Sequence, residues 1–287
     1  MASWRFKASL AIRIMSLRDL LIKKLGKSEV ALVPSSFDVI GSRDKAVAII
    51  EIPEELRKKK KLIAEALMEQ HPNVKTVLEK ASPRKGVYRT RTLKIIAGSR
   101  KTEVMHIENG CRFFVDPRKA YFSQREATER ARVAADVREG DAVMVFFAGV
   151  GALPILMAKK ARLARCVGIE INPDAVESFR KNMILNKTAN IEAVLGDVRE
   201  KHMAYKDSFD RVLMPLPETS EEFLAEALSV LKRGGIASVY FFAAETELKE
   251  REKDIAGKLN GTVFKTVRVL PYGPRIWKYR TDVVVKK

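Results

Sequence analysis

Hydrophobic and polar residues form two kinds of block along the second part of the chain. Amphipathic blocks of about ten or more residues are typical of helices, and shorter apolar runs are typical of buried strands. The predicted helices cover 124–138, 152–162, 173–185, 220–231 and 245–259, and the predicted strands cover 142–147, 166–171, 191–195, 211–214 and 236–242. Their regular alternation indicates an α/β fold with a doubly wound, mostly parallel sheet.

Two further strands are predicted at the end of the chain, over 263–270 and 276–285. The segment 271–274 between them holds two prolines and a glycine, which turns favour, so we expect an antiparallel hairpin at one edge of the sheet. A Rossmann-like sheet that closes with such a hairpin is typical of class I methyltransferases. Residues 118–287 are therefore predicted to form one domain of that class.

A smaller α/β domain is predicted over 36–117. Its strands are expected over 37–40, 46–52, 74–78, 92–97, 103–107 and 111–115, with a helix that begins near Pro53. Asn109 and Gly110 lie between the last two of these strands, and this dipeptide suits the positive φ angles of a tight hairpin turn.

Residues 1–35 are predicted to form a basic N-terminal extension, of which the first 27 residues make an amphipathic helix. Leucines and isoleucines lie there among arginines and lysines, and acidic residues are rare. This composition allows three interpretations: a mitochondrial presequence, a surface helix packed on the next domain, or a helix that lies on RNA.

The charge of the chain indicates a polyanionic partner. The formal net charge is +18, and residues 1–112 hold 24 Lys and Arg against 12 Asp and Glu, which is a net charge of +12. Basic side chains that displace counterions from phosphates give affinity for nucleic acid of any sequence, although membranes and acidic proteins also attract basic surfaces. The run of four lysines at 58–61 is accordingly either a solvated helix face or a phosphate contact.

The composition also bears on location. No run approaches the roughly eighteen apolar residues of a membrane span, and two cysteines are too few for a disulfide framework. We therefore expect a soluble, cytoplasmic protein with no membrane partner and no metal site, and we favour a monomer.

A glycine turn follows the first strand of the second domain and predicts a nucleotide-cofactor site. Phe147, Gly149 and Gly151 lie in this turn, between a buried strand and the start of a helix. The Gly-x-Gly-x-x-Gly spacing that seats a pyrophosphate is absent, which favours S-adenosylmethionine over NAD because it has no phosphates. Glu170, about twenty residues further on and followed by Ile171, is expected to accept hydrogen bonds from ribose hydroxyls.

Two more segments are expected to bind the cofactor, because ligands of such sheets lie at the carboxyl ends of the strands. Asp197 follows the third strand and is placed to accept a hydrogen bond from the adenine amino group, with the Val198 amide beside a ring nitrogen. The alternative role of Asp197 is that of a helix N-cap. Pro215 follows the fourth strand and completes the predicted set.

Several motifs together resemble one family. They are Tyr-Arg-Thr-Arg-Thr-Leu at 88–93, Glu-Asn-Gly at 108–110, Val-Asp at 115–116, Tyr-Phe-Ser-Gln-Arg at 121–125, Thr-Glu-Arg at 128–130, Phe-Ala-Gly-Val-Gly at 147–151 and Asp-Arg-Val-Leu-Met-Pro-Leu-Pro at 210–217. From about residue 36 onward the chain resembles the archaeal and eukaryotic type of tRNA (guanine-37-N1)-methyltransferase and its relatives in wyosine synthesis. The resemblance implies an RNA-facing domain, tRNA as partner, and transfer of the S-adenosylmethionine methyl group to the guanine 3′ of the anticodon.

The resemblance also implies catalytic roles. Guanine N1 carries a proton at neutral pH, so a base must remove it, and a cation or donor near O6 stabilises the charge that develops. By resemblance Glu129 is the base and Arg89 the stabilising group, and Arg130 binds the methionine carboxylate of the cofactor in bidentate fashion. Solvated helix positions are the alternative for Glu129 and Arg130, and a phosphate contact is the alternative for Arg89.

The chain departs from the family at two positions. Pro215 stands where the family typically has the asparagine of Asn-Leu-Pro, whose amide is expected to contact the target base, and Val145 stands where the family has an acid. Two other functions therefore stay open beside N1-methylation. One is transfer of the aminocarboxypropyl group of the same cofactor to a wyosine-precursor base, and the other is non-catalytic binding of tRNA.

Overall fold

The fold is described by a computed structural model for residues 16–83, 86–88 and 90–287. The N-terminal part contains a four-stranded sheet in the order β1-β2-β3-β4. Its elements are α1 (Leu17–Leu21), α2 (Lys27–Leu32), β1 (Asp38–Gly41), β2 (Ala46–Ile50), α3 (Lys60–Gln70), β3 (Val74–Lys80) and β4 (Leu93–Gly98). Strands β2 and β3 are parallel and are connected through α3, whereas the two outer pairs are antiparallel.

The predicted N-terminal helix is broken in its described part, and residues 1–15 lie outside the described residues. The Asp19 amide donates to Oγ of Ser16 at 3.2 Å, and the Ser16 amide donates to the Asp19 carboxylate at 2.9 Å. This capping box starts a new helix at residue 17, so the prediction of one continuous helix to residue 27 is wrong. Leu17 and Leu21 are buried in the core beneath α3, which agrees with the packed-helix interpretation for this segment.

A two-stranded hairpin follows the small sheet, formed by β5 (Val104–Glu108) and β6 (Cys111–Val115). Asn109 and Gly110 have φ angles of 48° and 76°, which confirms the predicted tight turn. The hairpin is attached to β1, because the Gly41 amide donates to Nδ1 of His106 at 3.2 Å.

The C-terminal part is a seven-stranded sheet in the order β12-β13-β11-β10-β7-β8-β9, with helices on both faces. Its strands are β7 (Ala142–Phe146), β8 (Arg165–Glu170), β9 (Ile191–Leu195), β10 (Phe209–Met214), β11 (Leu231–Ala244), β12 (Gly261–Gly273) and β13 (Ile276–Val285). Its helices are α4 (Ala127–Asp136), α5 (Ala152–Lys160), α6 (Pro173–Leu185), α7 (Val198–Lys201), α8 (Leu224–Val230) and α9 (Leu248–Lys258).

This topology confirms the predicted α/β fold class. Strands β7 to β11 are parallel to one another, and β12 and β13 form the antiparallel hairpin. The connections reverse direction at β7, whose neighbours are β8 and β10, so a crevice opens at the carboxyl ends of these strands. Of the two hairpin strands, β12 lies at an edge of the sheet, because β13 inserts between β11 and β12. The second strand of the hairpin is therefore interior.

The central strand β7 explains the continuous apolar run in the sequence. All five of its residues are buried. Val143 and Val145 pack in the core on one face of the sheet, and Ala142, Met144 and Phe146 pack in the core on the other face. A strand covered by helices on both faces needs apolar side chains at every position. Among the described residues, no helix is both long enough and apolar enough to cross a membrane.

Two asparagines attach the hairpin to the large sheet. Asn182 lies in helix α6, and Asn186 is the residue directly after that helix. The Phe114 amide donates to Oδ1 of Asn182 at 2.7 Å, and Nδ2 of Asn182 donates back to the Phe114 carbonyl at 3.2 Å. Asn186 makes the same pair of hydrogen bonds with the backbone of Arg112, at 2.9 and 2.7 Å. The two side chains are one helical turn apart. They form the hydrogen bonds with the backbone at the outer edge of β6 that a neighbouring strand would otherwise form.

Candidate active site

The glycine turn that joins β7 to α5 has three residues in the left-handed region of φ. The φ angles are 57° at Phe147, 57° at Gly149 and 80° at Gly151. A Cβ atom at Gly151 would lie 1.9 Å from Cδ2 of Phe179 on helix α6. Glycine at 151 is therefore required both by the backbone angle and by the close approach of α6.

Glu170 holds this turn in place from the end of β8. Its Oε2 accepts a hydrogen bond from the Gly149 amide at 2.8 Å, and its Oε1 accepts one from the Asn172 amide at 2.9 Å. Burial raises the pKa of the Glu170 carboxyl, although its hydrogen bonds to backbone amides oppose the shift. Each carboxylate oxygen can accept more than one hydrogen bond, so Glu170 can hold the turn and still accept from a ligand hydroxyl.

Asp197 caps the short helix α7, which sequence analysis did not predict. Its Oδ1 accepts a hydrogen bond from the Arg199 amide at 2.8 Å. The alternative role of an N-cap is thus present in the structure. Only one of the two carboxylate oxygens makes this bond, and the predicted contact of Asp197 with adenine remains a prediction.

A cavity, which we call the turn cavity, opens above the glycine turn at the carboxyl ends of the central strands. Predicted residues that line it are Glu129, Arg130, Phe147, Gly149, Glu170, Ile171 and Pro215. A second cavity, the helix cavity, shares Phe147 and Ile171 with it and is lined by Asp197 and Val198. Gly151 lies in the turn itself and packs against α6. The structure therefore brings together residues that are far apart in the sequence.

Glu129 is buried in the wall of the turn cavity, with 5% of its surface exposed. Its Oε1 accepts two hydrogen bonds, from the Tyr240 hydroxyl at 2.9 Å and from Nη1 of Arg280 at 2.8 Å. Its Oε2 accepts one, from Nη1 of Arg132 at 2.6 Å. The alternative interpretation of Glu129 as a solvated helix residue is therefore wrong.

Arg280 is itself buried and is shared among three carboxylates. Its Nη2 donates to Asp136 at 2.7 Å, and its Nε lies 3.1 Å from Asp282. Because Asp136 and Asp282 also attract this guanidinium, the positive charge of Arg280 stabilises the Glu129 carboxylate less than it would in an isolated pair. Glu129 thus lies in a network of ion pairs in which one buried guanidinium contacts three carboxylates.

Arg130 is also buried, but most of its donors are occupied. Its Nε and Nη2 donate to the Glu108 carboxylate at 2.5 and 2.6 Å, and Nη2 also donates to the Ser123 carbonyl at 2.8 Å. Its Nη1 lies 3.9 Å from Glu126. Arg130 was expected to donate from two nitrogens to the methionine carboxylate of the cofactor, but Nε and Nη2 donate to Glu108 instead. A contact with the cofactor through Nη1 remains a prediction.

Three further positions from the sequence analysis have different outcomes. Arg89 lies outside the described residues, while its neighbours Val87 and Tyr88 line the turn cavity. Pro215 lines that cavity, and its carbonyl accepts a hydrogen bond from Nζ of Lys278 at 3.3 Å. Val145, in place of the family's acid, is fully buried in the apolar core.

Sequence analysis missed Tyr240, Lys278, Arg280 and Asp282. The signal for the last three was their spacing, because charged residues occupy every second position from 278 to 282 in an otherwise largely apolar strand. Such spacing places them on one face of β13. Helix α4 covers that face of β13, where its Glu129 and Asp136 bind Arg280, so the three side chains are buried.

Comparison with known proteins identifies both parts of the chain. Residues 104–262 match the TRM5/TYW2 methyltransferase domain, and residues 17–102 match the TYW2 N-terminal domain. The methyltransferase match covers more than half of the chain and contains the glycine turn, Glu129, Glu170 and Asp197.

Individual relatives agree with this match. The chain is 44% identical over 256 residues to tRNA (guanine(37)-N(1))-methyltransferase Trm5b of Pyrococcus abyssi, which covers 87% of this chain and 74% of that protein. It is 32% identical over 203 residues to tRNA(Phe) (4-demethylwyosine(37)-C(7)) aminocarboxypropyltransferase of Methanocaldococcus jannaschii, covering 67% of this chain and 80% of that protein. The solved complex of aTrm5 and tRNALeu superimposes with a TM-score of 0.83 at 32% identity, covering 99% of this chain and 82% of that one.

Proposed function

Because the chain belongs to the TRM5/TYW2 methyltransferase family, we propose that it is a tRNA (guanine(37)-N(1))-methyltransferase that uses S-adenosylmethionine. The observation that carries the proposal is the position of Glu129, a buried carboxylate in the wall of the cavity beside the glycine turn. A carboxylate in that place is the proton acceptor that methylation of guanine N1 requires. The relative that is 44% identical is named for this reaction.

The residues around the two cavities fit S-adenosylmethionine. Phe147, Ile171 and Leu216 line both cavities and offer apolar walls for the adenine ring and the thioether chain. Glu170 offers carboxylate oxygens to the ribose hydroxyls. Asp197 offers the adenine amino group the oxygen that does not cap the helix, Oδ2, which lies 3.7 Å from Nη1 of Arg199. The glycine turn, which has no third glycine for a pyrophosphate, is suited to a cofactor without phosphates.

The chain's own residues perform the proton transfer. S-adenosylmethionine, when bound, supplies a methyl group on a positively charged sulfur. Oε1 of Glu129 already accepts two hydrogen bonds, whereas Oε2 accepts one from the partly exposed Arg132. Oε2 is therefore the oxygen that takes the proton from guanine N1. The freed electron pair of N1 would then bond to the methyl carbon as the bond from that carbon to sulfur breaks and leaves a neutral thioether, while Tyr240 and Arg280 keep the carboxylate oriented.

A second candidate function is transfer of the aminocarboxypropyl group to a wyosine-precursor base. Two observations favour it: residues 17–102 match the TYW2 N-terminal domain, and Pro215 replaces the asparagine amide expected to contact guanine. The two reactions add different masses to tRNA. We expect mass spectrometry of tRNA incubated with the protein and S-adenosylmethionine to show one added methyl group at position 37. An aminocarboxypropyl adduct would support the alternative, and no adduct would support a non-catalytic tRNA-binding protein.

The remaining features of the proposal concern organisation. We propose that residues 1–35 form a basic extension, 36–117 an RNA-facing domain and 118–287 the methyltransferase domain, with tRNA contacted by both domains. The net charge of +12 in residues 1–112 supports an RNA-facing role for the first part. We also propose a monomer that acts in the cytoplasm. Light scattering after gel filtration tests the first point, and fluorescence imaging of a tagged chain tests the second.

A further inference from the structure

Two aromatic rings stack on each other near the end of the C-terminal hairpin. Tyr272 belongs to β12 and Phe242 belongs to β11, and their ring centres are 3.8 Å apart with an angle of 27° between the ring planes. Strand β13 lies between these two strands, so the tyrosine side chain reaches across it. Tyr272 is 63% exposed, whereas Phe242 is half-buried. Phe242 therefore covers one face of the Tyr272 ring, and most of the remaining ring surface is open.

A β-bulge places Tyr272 in this position. Pro271 pairs with Trp277 and Gly273 pairs with Ile276, so in the described pairing of β12 with β13 Tyr272 is the extra residue. A bulge changes the direction of a side chain, and bulges are frequent beside active sites. The exposed ring of Tyr272 is thus held in one orientation, although it contributes little to the core.

The stacked rings line a third cavity, which we call the Tyr272 cavity, together with Leu270. The residues that the Tyr272 cavity shares with the turn cavity are Tyr121, Ser123, Glu126, Pro215 and Leu216. The two cavities are therefore adjacent. Neighbouring nucleotides of an RNA are joined by a single phosphodiester. An RNA whose target base enters the turn cavity beside Glu129 can thus place the next base in the Tyr272 cavity.

The charge of the C-terminal hairpin suits an RNA ligand. Residues 261–287 hold seven Lys and Arg against one Asp, whereas residues 113–260 hold 23 of each sign and are neutral. Lys278 and Arg280 are buried in ion pairs, but Arg268 and Arg275 are exposed and lie within four residues of Tyr272. Surfaces that bind single-stranded nucleic acid combine basic side chains for the phosphates with aromatic rings for the bases.

Resting on the proposed methyltransferase function, we propose that Tyr272 is a binding residue on which an unpaired base next to guanine 37 of the tRNA stacks. A target nucleotide that leaves the stack of the anticodon loop deprives its neighbours of a stacking partner. The open face of Tyr272 replaces that partner, as aromatic side chains do for unstacked bases of RNA. Every base has a π face, so this contact holds the neighbouring base without reading its identity.

The test is a cycle of changes in the protein and in the RNA, with tRNA affinity as the readout. The proteins are the parental chain and Tyr272→Ala, and the RNAs are intact tRNA and tRNA that lacks the base at position 36 or at position 38. We expect Tyr272→Ala to weaken binding of intact tRNA by about 5-fold to 100-fold, the range for loss of one base–aromatic stack. At one of the two positions, removal of the base should abolish the further effect of Tyr272→Ala. That position identifies the stacked neighbour.

Three controls separate stacking from a structural role. Tyr272→Phe keeps the ring and should bind tRNA as the parental protein does. Phe264 is a matched aromatic residue, because it lies on the same strand, is 66% exposed and lines a different cavity with Val263 and Lys265. Phe264→Ala should leave tRNA affinity unchanged. S-adenosylmethionine affinity, measured by calorimetry, should be unchanged in Tyr272→Ala.

The possible outcomes are distinct. Parental tRNA affinity in Tyr272→Ala would overturn the role of Tyr272, and so would equal losses with intact tRNA and with both tRNAs that lack a base. A loss in Tyr272→Phe as large as in Tyr272→Ala would also overturn stacking, because the hydroxyl would then make the contact. Single-turnover methylation of intact tRNA tests the proposed function separately. If the parental protein transfers no methyl group, that function is overturned, while the binding cycle still decides whether Tyr272 stacks on a base.

Discussion

Tyr240 and Arg280 lie directly opposite each other on the antiparallel strands β11 and β13, and both donate to the same oxygen of Glu129. Their donor atoms lie 2.9 and 2.8 Å from Oε1. This cross-strand pair fixes the carboxylate on helix α4 to the C-terminal part of the sheet. The proposed base is thus positioned by residues more than one hundred positions away in the sequence.

The first prediction concerns proton transfer. Glu129→Gln keeps the size of the side chain but cannot accept the N1 proton, so single-turnover methylation should fall by about 10²-fold to 10⁴-fold. Binding of tRNA, measured by filter retention, should stay nearly constant. The exposed Glu139 is a matched control, and Glu139→Gln should behave as the parental protein does. A variant of Glu129 that binds tRNA weakly but transfers methyl at the parental rate would make Glu129 a structural residue.

The second prediction separates the two roles of Asp197. Asp197→Ala removes both the helix cap and the predicted adenine contact, and S-adenosylmethionine binding should weaken by about 1 to 3 kcal/mol. Asp197→Asn keeps the cap, because asparagine caps helices as well as aspartate does. The amide oxygen then accepts the capping bond, and the NH2 group, which is a donor, replaces the acceptor that the adenine amino group needs, so the cofactor should bind as weakly as in Asp197→Ala. Calorimetry that finds parental affinity in Asp197→Asn would leave Asp197 with the capping role alone.

The third prediction concerns RNA binding by the N-terminal part. Lys58, Lys59 and Lys61 are exposed, whereas Lys60 pairs with Glu79 at 2.9 Å and is left intact. Changing the three exposed lysines to glutamine should weaken tRNA binding. The slope of log affinity against log salt should decrease by about 0.7 to 0.9 for each phosphate contact that is lost. S-adenosylmethionine affinity should not change.

The control for this prediction is a pair of exposed lysines in the C-terminal part, Lys206 and Lys253. Their replacement by glutamine removes charge from the other part of the molecule and should leave the salt slope almost unchanged. Equal slopes in the parental and triple-lysine proteins would place the RNA mainly on the methyltransferase domain.

The fourth prediction concerns acid stability. Burial alone would raise the pKa of Glu108, but hydrogen bonds and charge from His106 and Arg130 outweigh it and hold that pKa below its ordinary value of 4.5. A lowered pKa adds stability that is present above the unfolded value and is lost as the pH falls through the folded value. Glu108→Gln should therefore be less stable at pH 7, by about 3 kcal/mol for a broken buried pair. It should also lose less stability than the parental protein between about pH 5 and pH 3.

Chemical denaturation at several pH values measures both effects. Glu177 pairs with Lys181 on the surface of α6, and Glu177→Gln is the matched control. Exposed pairs contribute little to stability, so this variant should follow the parental curve. A pH dependence in Glu108→Gln that is identical to the parental one would show that the pair with Arg130 contributes nothing to acid sensitivity.

The parts of the site that sequence analysis predicted are local in the chain. Strands recognisable by their apolar runs end at or just before the glycine turn, Glu170 and Asp197. The sheet topology then brings the ends of these strands together. The ligands of Glu129 could not be predicted in this way. Tyr240 and Arg280 are 111 and 151 residues away from Glu129 in the sequence. No local pattern specifies that β13 inserts between β11 and β12. The break before Leu17 was missed because its capping box lies within a continuous amphipathic pattern.

The β5–β6 hairpin is bonded to both parts of the molecule. The hairpin is bonded to α6 through Asn182 and Asn186 and to β1 through His106, so the small sheet and the methyltransferase sheet cannot slide past each other at this point. On the proposed function, these contacts set the distance between the basic surface of one part and Glu129 in the other. We therefore expect the protein to select its target nucleotide by the distance of that nucleotide from the bound phosphates, and not by the bases in between.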